Sequence, residues 1–222
     1  MVRTVKTIVC YGDSNTYGYD PTDSGRYAYA VRWPGRLQLL LGREAYYVVE
    51  EGLNCRTTVH SDPCYDDDKS GVALLPAIIK THMPIDLLVV MLGSNDMKLR
   101  FHMQAADIAR GAALLIQTAK QVSAAKSPDG MPCEILLVAP PLITEDLRDG
   151  ACYDEFGDRA ISLSRELSNW YATVAQNSGV HFLDAAKLVT PSPVDGLHLT
   201  PDGHEVLAQA MAQTCRAILT HC

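Results

Sequence analysis

Short, nearly continuous apolar runs punctuate the chain at residues 7–11, 46–49, 87–92, 135–139 and 181–183. Four of the five lack polar alternation, the pattern of strands buried on both faces of a parallel sheet. Between them the apolar spacing turns helical. Trp33, Leu37, Leu40 and Leu41 share one side of residues 33–41, and Ile108, Leu115, Ala119 and Val122 do so over 108–122. Ile161, Ser164, Leu167, Tyr171 and Val174 mark a third helix over 161–175, and Pro201 stands at the first position of a fourth over 202–219. Strands alternating with helices predict βαβ crossovers and a three-layer α/β sandwich. Residues 64–71 (CYDDDKSG) and 140–157 are polar and acidic and read as long surface loops. With no internal repeat and no linker, residues 1–222 read as a single domain.

Composition changes this picture little, but it excludes several partners. Apolar residues make up 47% and charged residues 20%, a globular balance. The net charge of −7 and the absence of a basic run argue against nucleic acid or an anionic membrane surface as partner. The apolar run at the N-terminus is too short for a secretory signal, and no window approaches the ~20 apolar residues of a membrane span. Seven cysteines, the last of them Cys222, form no CxxC and no Cys/His cluster. Neither a disulfide framework nor a metal site is indicated, and reduced thiols in a cytoplasmic protein are the simplest expectation.

In open α/β sheets the functional crevice lies outside the carboxyl ends of the strands. The polar residues found there are Gly12-Asp13-Ser14 after the first strand and Glu50-Glu51-Gly52-Leu53-Asn54 after the second. Gly93-Ser94-Asn95-Asp96 follows the third, and Asp195-Gly196-Leu197-His198 follows the last. A serine hydroxyl becomes a nucleophile when a base takes its proton and a third group orients that base. Ser14, His198 and Asp195 supply those roles as candidate catalytic residues. The backbone N–H groups of Ser14 and Gly52, with the Asn95 side-chain amide, are candidate donors to an oxyanion. Each piece alone reads equally well as turn chemistry; their joint order points to catalysis. Asp13 reads as an organiser of its turn, and His204 as a residue on the first turn of the last helix. His60, His82, His102, His181 and His221 read as structural or solvated. Trp33 reads either as a wall of the acyl pocket or as core.

The order GDSNTYG, EEGLNCRT, MLGSNDMK and DGLHLTPDGH resembles the four blocks of the SGNH (GDSL-type) hydrolases. The longer stretches RWPGRLQLLLG, VVEEGLNCRTTVHSDP and HMPIDLLVVMLGSNDMK are similar to the bacterial arylesterase/acyltransferase branch, which includes perhydrolases. The resemblance covers about residues 6–215. It implies a flavodoxin-like α/β/α fold around a five-stranded parallel sheet, and a Ser–His–Asp mechanism with no metal and no cofactor. It carries the nucleophile to Ser14, the rest of the triad to Asp195 and His198, and the oxyanion hole to Ser14, Gly52 and Asn95. Members of this branch cleave short-chain aryl or acetyl esters, and some pass the acyl group to an alcohol or peroxide instead of water. Relatives with the same blocks remove acetyl groups from sugars, and oligomers that bury the active-site mouth are known, so a homo-oligomer is implied here. Asn15 stands where the usual block has Leu, which implies a more polar pocket beside the nucleophile. Cys55 has no assigned role. An inactive α/β binding module is the reading from another class, and the presence of every required donor, acceptor and nucleophile speaks against it.

Overall fold

The five apolar runs pair into one parallel sheet: β1 (Lys6–Gly12), β2 (Tyr46–Gly52), β3 (Leu87–Met91), β4 (Glu134–Ala139) and β5 (His181–Asp184), in the order β2-β1-β3-β4-β5. This computed structural model describes residues 5–220, so His221 and Cys222 lie outside the described residues. Ile8 to Tyr11 and all of β3 are at most 1% exposed, which is why those runs carry no polar alternation. Ile8 and Cys10 pack on one face of the sheet and Val9 and Tyr11 on the other. The edge strand β2 is less protected, and its Tyr47 is exposed.

Helices cover both faces. On one, α2 (Trp33–Leu41) and α6 (Pro201–Thr220) place Trp33, Leu37, Leu207 and Met211 against β1 and β3. On the other, α3 (Gly71–His82), α4 (Ala105–Ala124) and α5 (Tyr153–Ser178) contribute Leu75, Ile108, Leu115, Leu167 and Tyr171. The α/β/α sandwich with a five-stranded parallel sheet expected from the sequence is the observed fold. Among the described residues no helix is long and apolar enough to cross a membrane.

Two segments depart from the sequence reading. No helix is expected over Gly71–His82, where Pro76 interrupts a helical pattern; the Ser70 hydroxyl caps this helix by accepting from the Ala73 N–H, and Leu75 and Ile79 bury against the sheet. The expected surface loop at 140–157 is a second correction. It contains a 3-10 turn (Glu145–Asp149) and the first turn of α5, with Leu147 and Phe156 buried. Glu145, Asp146, Asp149 and Asp154 are exposed on the outside of a wall whose apolar residues face the core.

Of the two readings of Trp33, core is the one observed: it is fully buried between α2 and α6 and is absent from the lining of the cavity at the strand ends, so the pocket-wall reading falls. The Trp33 backbone N–H donates to Nδ1 of His204 at 3.2 Å. Burial, and then the nearby His198, push the His204 imidazole down to about 4. The folded protein therefore holds His204 neutral while the unfolded chain takes up a proton below the ordinary value of 6.5. Stability from this residue is complete above that value and is lost as pH falls toward about 4. The destabilisation caused by His204→Gln should accordingly be largest at pH 7. It should shrink by about 2–3 kcal/mol near pH 4.5, at 1.36 kcal/mol per pH unit. Urea unfolding at the two pH values checks it; a pH-independent difference would refute the buried, neutral imidazole.

Candidate active site

In the sheet order β2-β1-β3-β4-β5 the chain reverses direction between β1 and β3, and ligands in such sheets bind outside the carboxyl ends at that switch point. Ser14 follows β1 and Asn95 follows β3, so topology alone delivers both to the crevice. Ser14 is the first residue of a single helical turn, α1 (Ser14–Tyr17), and Asp13 caps it: its Oδ1 accepts from the Asn15 N–H at 3.0 Å. Burial pushes the Asp13 carboxyl up to about 6.

Asp195 and His198 arrive from the segment before α6. The Ser14 hydroxyl lies 2.9 Å from His198 Nε2, and His198 Nδ1 lies 2.5 Å from Asp195 Oδ2. The other carboxylate oxygen, Oδ1, accepts the backbone N–H groups of Leu197 and His198, each at 3.0 Å. Burial alone would raise the Asp195 carboxyl; the hydrogen bond and charge of His198 and the two backbone donors outweigh it and hold it below the ordinary value. The loop can turn this tightly because Gly196 adopts φ 65°, and a Cβ there would lie 2.3 Å from the Leu147 nitrogen. The 3-10 turn of the misread segment is thus the backing of the histidine loop, joined to it by Thr144 N–H donating to Gly196 O.

Asn15 does not line the pocket, contrary to the sequence expectation. Its side chain is buried between the first and last blocks, where Nδ2 donates to Leu197 O at 3.2 Å and Oδ1 accepts the Leu199 N–H at 3.0 Å. It fixes the residues on either side of His198 to the turn that carries Ser14, so a polar residue at this position serves assembly of the site.

Gly52 is also placed differently from expectation. It lies outside the cavity, and a Cβ there would stand 2.1 Å from the Tyr17 nitrogen, so the glycine allows β2 to pack against α1. Cys55, three residues on, lines the cavity and has φ 66°. Arg56 secures this loop by donating to Gly12 O at 2.9 Å and to Glu51 O. Among the described residues no acceptor meets the backbone N–H of Ser14 or of Cys55. Asn95 Nδ2 spends one of its two hydrogens on Arg56 O at 3.2 Å.

These groups open into a cavity of about 200 Å³. Its lining comprises Ser14, His198, Asn95, Asn54 and Cys55, the largely apolar Tyr19, Phe156, Leu197 and Cys152, and a polar group of Tyr65, Lys98 and Glu155. The Tyr19 ring packs on the His198 imidazole at 4.4 Å between centroids. Lys98 is 1% exposed, and its Nζ lies 3.0 Å from Glu155 Oε2, 3.3 Å from the Tyr65 hydroxyl and 3.4 Å from Asp62 Oδ2. Burial opposes its charge, but Cys55 and Glu155 outweigh that, and its pKa stands above the usual lysine value. A larger cavity of about 320 Å³ at the amino end of the strands holds no histidine.

The sequence reading missed Tyr65, Lys98, Cys152 and Glu155 as parts of this lining. Lys98 had a signal, since it ends the block MLGSNDMK, but Tyr65, Cys152 and Glu155 come from segments that look like solvated loop.

Solved structures of the same architecture span nearly the whole chain. A carbohydrate acetylesterase family member from Sinorhizobium meliloti shares 36% identity, with a TM-score of 0.90 over 97% of this chain and 100% of that one. The aryl esterase of M. smegmatis shares 33% identity, with a TM-score of 0.88 over 96% and 100% of the two chains. A second S. meliloti carbohydrate acetylesterase shares 32% identity, with a TM-score of 0.87 over 96% and 99%. No curated protein sequence matches the chain. The profile of one family covers residues 10–206, from the end of β1 to the start of α6, and with it both segments that build the Ser14–His198–Asp195 arrangement; the chain belongs to the GDSL-like lipase/acylhydrolase family.

Proposed function

We propose that this protein hydrolyses short-chain carboxylic esters through an acyl-enzyme on Ser14. The observation that carries the reading is the continuous hydrogen-bonded line from Ser14 Oγ through both ring nitrogens of His198 to Asp195. His198 Nε2 accepts the hydroxyl proton as Oγ attacks the acyl carbon. Asp195 keeps the other proton on Nδ1 and stabilises the imidazolium that forms. The same proton then passes to the departing alcohol. The negative charge developing on the carbonyl oxygen meets the Ser14 N–H and the free hydrogen of Asn95 Nδ2. The third donor is the Cys55 N–H, in place of Gly52, because Cys55 lines the cavity with its amide unspent. Water, activated by the same His198, releases the acid; an alcohol or peroxide in its place would make the enzyme a transferase.

The cavity volume limits what fits around the ester to small groups. A second substrate reading, acetylated sugars rather than aryl esters, is favoured by the polar Tyr65, Lys98 and Glu155 in the cavity lining.

A fluorophosphonate probe tests the mechanism directly. It should form a single adduct, located on Ser14 by peptide mass spectrometry, and prior heat denaturation should abolish it. A folded protein that takes up no label would favour the binding-module reading.

A further inference from the structure

Glu155 has one committed carboxylate oxygen and one free. Oε2 takes both cations, Lys98 Nζ at 3.0 Å and Arg100 Nη2 at 2.8 Å, whereas no donor reaches Oε1 among the described residues. Glu155 lines the same cavity as Ser14 and His198, and its side chain is 35% exposed. The two cations beside it are already engaged. The three ammonium hydrogens of Lys98 have Asp62, Tyr65 and Glu155 as acceptors. Arg100 is engaged by Asp62 at 2.8 and 2.9 Å and by Glu155.

Charge balance decides what kind of group suits the free oxygen. Two cations, Lys98 and Arg100, face two carboxylates, Asp62 and Glu155, in one connected cluster. An anionic substrate finds no surplus positive charge there. A cationic one would approach Oε1 with an ammonium and a guanidinium directly behind it. An alkyl group placed against Oε1 would strip its water and return no hydrogen bond. A neutral O–H donor satisfies the oxygen without disturbing the balance, and a hydrogen bond to an ionised acceptor is the stronger kind.

We infer that Glu155 is a specificity-determining residue whose Oε1 accepts a hydrogen bond from a substrate hydroxyl. The favoured substrates are then esters bearing a free hydroxyl a few bonds from the reacting carbonyl, as partly acylated polyols and sugars do. The inference rests on the proposed esterase reading of this cavity. The small volume brings the carboxylate and Ser14 within the span of one such molecule. Lys98 and Arg100 act here as positioning residues that keep Oε2 occupied and so fix the direction of Oε1.

The test compares each hydroxyl ester with the ether that lacks only the donor. On the alcohol side, kcat/KM is measured for glycerol 1-acetate and 2,3-dimethoxypropyl acetate; on the acyl side, for ethyl lactate and ethyl 2-methoxypropanoate. The wild-type enzyme should prefer the hydroxyl ester by about tenfold or more in one pair, since a site built around a hydroxyl rejects the analogue without it. Whichever pair shows the preference tells which half of the ester the hydroxyl belongs to. In Glu155→Gln the amide oxygen stays on the two cations and the NH2 group turns to the cavity, so the preference should fall to within about threefold. The preference is a ratio within one preparation, so a smaller folded fraction scales both rates equally and leaves it unchanged. Should Glu155→Gln be too slow to measure, Glu155→Asp, which withdraws the carboxylate by one methylene, should lose the preference likewise. Equal wild-type rates within both pairs, or a preference that survives in the variants, would overturn the inference. Hydrolysis of p-nitrophenyl acetate by the wild-type enzyme judges the esterase reading separately, because that ester has no hydroxyl to recognise.

Discussion

Ser14→Ala should reduce kcat/KM on p-nitrophenyl acetate by about 10⁴-fold or more, the scale on which loss of a triad nucleophile acts. The folded state should tolerate the change. Ser14 Oγ is bonded only to His198 Nε2, and the backbone of α1 is held by Asp13, whose side chain and carbonyl receive the N–H groups of Asn15, Thr16 and Tyr17. Removing one oxygen thus breaks one hydrogen bond, worth about 1 kcal/mol, and leaves the cap of the turn in place. The Ser14 N–H, one of the proposed oxyanion donors, also survives, so a small residual rate above the uncatalysed reaction is expected. Calorimetry and initial rates on the same preparation separate the two effects. Activity within tenfold of wild type would remove Ser14 from the mechanism, and a large loss of melting temperature would make the kinetic result structural.

The carboxyl ends of β1, β3 and the segment before α6 were legible in the sequence for a physical reason. Strands buried on both faces must be written as unbroken apolar runs, so the first polar residue after each run marks where the chain leaves the sheet. Ser14 and Asn95 sit at such exits, Asp195 and His198 come from the connection between β5 and α6, and the structure brings the four together. The rest of the cavity lining follows no such rule. Tyr65, Cys152 and Glu155 come from connections whose polarity reads as solvation, and only tertiary pairing turns Asp62, Lys98, Arg100 and Glu155 into one connected cluster.

Residue type misled at two other places and left a third open, because it does not encode direction. Asn15 is polar beside a nucleophile, yet both of its amide atoms are spent on Leu197 and Leu199. Trp33 is an aromatic close to the first block in sequence, but α2 turns it into the core beneath the sheet. Gly52 follows a strand as an oxyanion glycine would, and its missing side chain instead admits the backbone of α1. The helix over Gly71–His82 escaped notice because an internal proline normally marks a break.

Asp195→Asn should cost nearly as much as loss of the nucleophile, about 10⁴-fold in kcat/KM at neutral pH, and the hydrogen-bond pattern explains why so conservative a change is so damaging. Oδ1 of Asp195 receives two backbone N–H groups, from Leu197 and His198. An asparagine must keep its oxygen there, since turning its NH2 group toward two donors would leave all three unpaired. The NH2 group is then forced into the Oδ2 position, against His198 Nδ1. That nitrogen can now only accept, so the ring carries its proton on Nε2, facing Ser14 Oγ, and no lone pair remains to receive the hydroxyl proton. The loop keeps both backbone hydrogen bonds, so the fold should survive, and fluorophosphonate labelling of Ser14 should slow in step with ester hydrolysis. Asp13→Asn supplies the contrast. Its Oδ1 also accepts a backbone N–H, but Asp13 has no hydrogen bond to His198, so no tautomer depends on it. If Asp13→Asn inactivated the enzyme while Asp195→Asn left its rate within tenfold of wild type, the acid of the triad would be the wrong carboxylate, and the line from Ser14 through His198 would have to be redrawn to Asp13.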